Sequence, residues 1–123
     1  LNFLEFTINF HFNKKEVKKL DLLLNEDSLI VKLYGDLDHH IADKIRDEID
    51  DLIDKEEPKK LIFDLTNVSF MDSSGIGMII GRYKKTIAYG GNVYFVGINN
   101  CIDKLVQMSG LLRIIPEIKK EVS

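Results

Sequence analysis

The densest chemistry in this 123-residue chain lies in six consecutive residues, Asp72-Ser73-Ser74-Gly75-Ile76-Gly77. They stand between an apolar run ending at Met71 and apolar residues at helical spacing, which predicts a strand-to-helix turn. In open α/β sheets, function tends to collect off the carboxyl ends of the strands. Asp72 or a serine can cap the new helix, and the glycines let the backbone turn. A serine here also holds its hydroxyl near unpaired backbone N–H groups and the positive end of the helix dipole. A phosphate placed there gains about 0.3–1 kcal/mol. Ser73 is the better placed to cap, which leaves Ser74 to turn its hydroxyl outward beside the small Gly75. Composition does not say which serine would take a phosphate, but phosphorylation here would change the surface without unfolding the domain.

Other chemistries fit less well. A nucleophile elbow requires glycine two residues before the serine, and Asp72 occupies that place. His39 or His40 could supply a base, but nothing local orients either one, so a small serine hydrolase is the weaker reading and no catalytic residue is expected. Gly75, Gly77 and Gly81 do not follow the dinucleotide spacing, and no Gly-Lys-Ser/Thr follows to cradle a phosphate. Gly77 and Gly81, four apart on one helix face, are expected to permit close helix–sheet contact. Asp36, Asp38, His39 and His40 lack EF-hand spacing, and adjacent histidines point in different directions on a helix. Asp38 therefore reads as an N-cap, with no metal and no cofactor expected. Asp43, Asp47, Glu48, Asp50, Asp51 and Asp54 read as a solvated helix face.

The elements that position these residues follow from periodicity. Leu20 to Leu24 and Leu29 to Leu33 are apolar runs separated by Asn25-Glu26-Asp27-Ser28, which predicts a β-hairpin. Ile41, Ile45, Ile49, Leu52 and Ile53 mark a long helix ending near Pro58. Leu61 to Leu65 reads as a strand buried on both faces, and Val68 to Met71 leads to the serine turn. Ile76, Ile79, Ile80, Tyr83 and Ile87 form the stripe of the second helix, closed by Gly90-Gly91. Val93 to Val96 is a further strand. Asn99 or Asn100 is expected to cap a helix carrying Ile102, Leu105, Val106 and Met108, stopped by Gly110. Ile114-Ile115 is expected to be a last edge strand. The order β-β-α-β-α-β-α-β implies an α/β fold with a mixed sheet flanked by helices.

Upstream, Leu4, Phe6, Ile8, Phe10 and Phe12 alternate with polar residues, the pattern of a half-buried strand, so residues 1–16 read as an arm or an added strand. No continuous apolar stretch follows a basic start, so a secretory signal is not expected. Seventeen basic against 20 acidic residues leave a net charge of −3, which argues against a nucleic-acid partner. No apolar run approaches the roughly 20 residues that cross a bilayer. The single Cys101 excludes an internal disulfide and fits a reducing, cytoplasmic setting.

Four motifs in order, Gly35-Asp36-Leu37-Asp38-His39-His40, Phe70 to Gly77, Gly81-Arg82-Tyr83-Lys84 and Met108-Ser109-Gly110-Leu111, resemble the STAS-domain anti-sigma-factor antagonists, above all their sporulation branch. The resemblance covers roughly Leu20 to Glu117, and Asp36 departs from the glutamate common at its position. It implies a single STAS-type domain over 17–123 with a mixed four- to five-stranded sheet, leaving 1–16 unmatched. It also implies a binding module rather than an enzyme. The unmodified protein would bind an anti-sigma factor that is also a serine kinase and so free the sigma factor. Phosphorylation of Ser74 would end binding, and a serine phosphatase would reset it. Asp38 would touch the kinase, with Asp72, Ser73, Ser74 and Gly75 completing the contact. A general-stress antagonist of the same family is the alternative.

Overall fold

Alternating side chains build the first hairpin: Leu20, Leu22 and Leu24 on β1 (Leu20–Asn25) and Leu29, Val31 and Leu33 on β2 (Ser28–Leu37) are all buried on one face. The structure, a computed structural model, describes residues 18–119. The arm or strand expected over 1–16 lies outside the described residues. The hairpin pairs antiparallel from Leu20↔Leu33 to Asn25↔Ser28, with Glu26 at φ 44° in its two-residue turn.

Helix α1 (His39–Glu56) buries Ala42, Ile45, Ile49, Leu52 and Ile53, as its periodicity predicts. β3 (Lys60–Met71) joins the two expected apolar segments into one strand of 12 residues. Within the segment expected to be buried on both faces, Leu61, Phe63, Asp64 and Leu65 are buried and Ile62 is half-buried. α2 (Ser73–Ala88) and β4 (Asn92–Val96) follow. β2, β3 and β4 are parallel, and the sheet order is β1-β2-β3-β4. Successive right-handed crossovers in that order place α1 and α2 side by side on one face. Phe63 and Phe95, fully buried, anchor the core beneath them with ring centroids 6.3 Å apart. Among the described residues, no helix is long and apolar enough to cross a membrane.

Several expectations need correction. α2 buries Gly75, Met78, Ile79, Arg82 and Thr86, whereas Ile87 is exposed and Ile76, Ile80 and Tyr83 are only partly covered. The inner face of α2 meets α1 as well as the sheet, and the α1 contact is polar. Asp50 and Arg82 pair at 2.8 Å, and Asp54 and Lys85 pair at 2.8 Å. Asp50 is therefore in an inter-helix seam rather than on a solvated face, whereas Asp54 stays 64% exposed as expected. A Cβ at Gly77 or Gly81 would meet nothing within 4 Å, so neither glycine serves close packing.

The last helix, α3 (Asp103–Ser109), has Ile102 at its N-cap and no side-chain cap. Asn99 instead ties the preceding turn to β3, donating to the carbonyls of Leu65, Thr66 and Val68 at 2.8–3.1 Å. Gly110 ends α3 at φ 80°, the left-handed conformation that glycine adopts without strain. The expected edge strand at Ile114-Ile115 does not form. A short 3₁₀ turn (Leu111–Arg113) plants Ile115 in the core, and the chain then meets β4 at a single bridge, Phe95↔Glu117. Pro116, fixed in φ and lacking an N–H, fits poorly in a longer ladder. The order is thus β-β-α-β-α-β-α.

Candidate functional site

Strand register brings the two serine-turn and aspartate motifs together. Leu37 and Met71 are partners at the carboxyl ends of β2 and β3, and the Asp72 N–H donates to the Leu37 carbonyl at 3.4 Å. The next residue after each strand, Asp38 or Asp72, is the N-cap of the helix that follows. The two caps therefore stand about one strand spacing, ~4.8 Å, apart along the sheet edge. Both have extended backbones, the conformation a capping residue requires.

The Asp38 carboxylate accepts from the Ile41 N–H at 3.1 Å. That bond is the largest reason its carboxyl is held below the usual carboxylate range, with the neighbouring His40 and His39 helping. The folded pKa is lowered, so the cap's stabilisation is present above the ordinary carboxylate pKa and lost as pH falls through the folded value. His39 and His40 are exposed, their rings 4.0 Å apart, on the first turn of α1.

At α2 the structure corrects the assignment of the cap. Asp72, not Ser73, accepts from the N–H groups of Ser74 (2.9 Å) and Gly75 (3.2 Å). Ser73 is the first helical residue and is exposed, and Ser74 follows, half-buried. The local chemistry allowed either cap. The choice fell to Asp72 because its backbone is held at the end of the sheet by Leu37. A cap of this kind contributes about 1 kcal/mol, so neither serine hydroxyl is needed to start the helix.

Gly75 faces inward and is buried. A Cβ there would lie 2.5 Å from Met71 Cγ and 3.0 Å from the Leu37 carbonyl oxygen. Its absence lets α2 start tight against the end of β2, so Gly75 sets the position of the site from below rather than lining its surface. Asp36 and Phe70 are register partners just before the two caps, and the Phe70 ring is 50% exposed. An aromatic side chain this open beside two carboxylates and two serines is the apolar part of the patch. Sequence alternation gave no signal for it: a period of two would put Phe70 on the face of the buried Val68, but an irregularity in the pairing leaves Ser69 and Phe70 both facing out.

Beside Ser74 a cleft of about 320 Å³ runs between the helices. α1 contributes Ala42, Asp43 and Arg46, and α2 contributes Ser74, Met78 and Arg82. Arg82 is buried, its Nε against Asp50 at 2.8 Å and its Nη1 donating to the Met78 carbonyl at 3.2 Å. Burial lowers the pKa of its guanidinium, and Asp50 opposes the shift. Sequence reasoning missed both arginines as neighbours of Ser74, because their proximity depends on how α1 and α2 pack. Among the described residues, no group of three or more His, Cys, Asp or Glu side chains is arranged to hold a metal ion.

Residues 19–123 match the family model described as the STAS domain. An anti-sigma F factor antagonist of Paenibacillus polymyxa is 41% identical over 95 residues, 77% of this chain and 81% of that protein. The anti-sigma-B factor antagonist of Bacillus subtilis (strain 168) is 29% identical over 96 residues, 78% of this chain and 86% of that protein. The anti-sigma factor antagonist SpoIIAA in its unphosphorylated form has a similar structure, with a TM-score of 0.73 at 28% identity, covering 83% of this chain and 88% of that one. The Bacillus cell fate determinant SpoIIAA in the phosphorylated form gives 0.67 at 28% identity, covering 83% and 91%.

Proposed function

We propose that this chain, which belongs to the STAS domain family, is an anti-sigma-factor antagonist that a phosphate on Ser74 switches off. In its unmodified form it docks, through the patch around Asp38 and Asp72, onto an anti-sigma factor that is also a serine kinase, and the sigma factor is released. The observation that carries this reading is the meeting of the two caps at one sheet edge, with two serines on the first turn of α2 and the exposed Phe70 beside them. The patch offers an apolar anchor, acceptor carboxylates and a modifiable hydroxyl, a combination suited to reversible docking. Greater identity to the sigma F antagonist than to the sigma-B one favours the sporulation type of partner over the general-stress type.

In the modification step the Ser74 oxygen attacks the γ-phosphorus of ATP held by the kinase. A new O–P bond forms, the bond to ADP breaks, and the hydroxyl proton passes to a base on the kinase. A serine phosphatase returns the hydroxyl by hydrolysis. The protein is a binding module acting in the cytoplasm, and its domain spans residues 17–123.

Mass spectrometry after incubation with the cognate kinase and ATP tests this directly. The expected result is one phosphate, on Ser74, and none in the Ser74→Ala protein. Phosphate on Ser73 would show that the switch lies one residue earlier, and no phosphate at all would defeat the reading. Asp38→Ala is expected to weaken binding to the kinase by about tenfold, the scale of one lost charged contact, and to slow phosphorylation in parallel. Titration calorimetry on the folded variant checks it, and undiminished affinity would reduce Asp38 to a helix cap.

A further inference from the structure

The cleft between α1 and α2 has a basic group without a strong partner beside the residue that takes the phosphate. Arg46 is half-exposed, and its carboxylate neighbours Asp43 and Asp47 lie at 3.5 Å, the outer limit of a hydrogen bond, and are themselves 71% and 77% exposed. Ion pairs of that kind are weak and easily exchanged. Arg82, by contrast, is already committed to Asp50 and to the Met78 carbonyl.

Helix geometry aims Arg46 at Ser74. The pairs Asp50–Arg82 and Asp54–Lys85 fix the relative level of two parallel helices. Two turns back along each, at about 3.6 residues per turn, Ser74 stands level with Ala42 and Asp43. Arg46 is one turn below, and side chains on a helix lean toward its N-terminus. Its guanidinium therefore extends up the cleft that Ser74 also lines.

We infer that Arg46 is the intramolecular partner of the Ser74 phosphate: on phosphorylation the guanidinium leaves Asp43 and Asp47 and closes across the cleft onto the phosphoryl oxygens. This rests on the reading of Ser74 as the modified residue. A phosphoserine brings about −1.5 to −2 charges and three acceptor oxygens, and it outcompetes a single exposed carboxylate for a planar, two-pronged donor. Asp43 and Asp72 also face the phosphate and oppose it, so Arg46 offsets repulsion that would otherwise destabilise the modified form. Closure would also bridge the second turn of α1 and the first turn of α2. The modified form would then differ from the unmodified one in the arrangement of α1's exposed charges as well as at Ser74.

The test installs phosphoserine at position 74 of the full chain during synthesis, so that no kinase enters. Urea unfolding is measured for the serine and phosphoserine proteins, each with Arg46 and with Arg46→Gln. The change in the folding equilibrium on phosphorylation is expected to be at least about fivefold more favourable with Arg46 than with Arg46→Gln. A ratio below about threefold would overturn the proposal. In the unsubstituted chain the Arg46 Nε–H proton resonance is expected to move downfield when phosphoserine replaces serine, and an unmoved resonance would overturn the proposal without any variant. Failure of a kinase to modify Ser74 would defeat the functional reading alone, because this measurement never uses one.

Discussion

Phosphoserine at position 74 is expected to weaken binding to the proposed anti-sigma kinase by about a hundredfold and Ser74→Asp by about tenfold, with Ser74→Ala leaving it unchanged. The expectation follows from what surrounds the hydroxyl. Asp72 already places a carboxylate against the Ser74 N–H at 2.9 Å, and Asp38 stands one strand away. A partner surface fitted to this acidic patch and a neutral hydroxyl would have to bury a further −1.5 to −2 charges. A loss of about 2.8 kcal/mol is a factor of a hundred in affinity, well within the cost of leaving a charge poorly compensated at an interface. Aspartate carries a single charge on a shorter arm and copies part of the effect.

Ser74→Ala removes a hydroxyl that does not cap the helix, so its stability should stay within about 0.5 kcal/mol of the parent. Surface plasmon resonance against the kinase separates the four proteins. Binding of the phosphoserine form within threefold of the unmodified one would sink the release mechanism. Loss of binding in the Ser74→Ala protein would show that the hydroxyl is itself a docking group.

The second large effect is at Gly75. Gly75→Ala puts a methyl group 3.0 Å from the Leu37 carbonyl oxygen, which is backbone at the end of a paired strand and cannot give way. Met71 can turn aside, but α2 must still lift from the end of β2. Overpacking of this sort costs about 1–3 kcal/mol, offset by up to about 1 kcal/mol from alanine's better helix propensity. The net result should be a loss of about 1–2 kcal/mol in urea unfolding, together with weaker kinase binding as Ser74 shifts relative to Asp38. Gly77→Ala is the control, since a Cβ there meets nothing within 4 Å. It should gain about 0.5–1 kcal/mol. A Gly75→Ala protein as stable as its parent would show that the start of α2 is not held where the close contact with Leu37 places it.

Local periodicity was enough to give the elements and most of their order. A period of two in Leu20 to Leu33 and a period of 3.6 from Ile41 to Ile53 are local signals, and local geometry obeys them. Asp38 as a cap was legible for the same reason, because a capping bond spans only three residues. The choice of Ser74 over Ser73 came from the family resemblance, not from local chemistry.

The remaining features depend on residues far apart in the chain. The start of α2 is set by Leu37, 35 residues before Asp72, so the cap fell to Asp72 rather than Ser73. The buried face of α2 follows from its seam with α1, which turned Arg82 inward and left Ile87 outside. Asp50 read as solvated because its partner lies 32 residues on. The register Leu37↔Met71 joins two separate motifs into one patch, and the level of α1 against α2 brings Arg46 beside Ser74. Periodicity reports which side of an element is apolar. It carries no information about which neighbour that side will meet, because the meeting is chosen by the packing of the whole core.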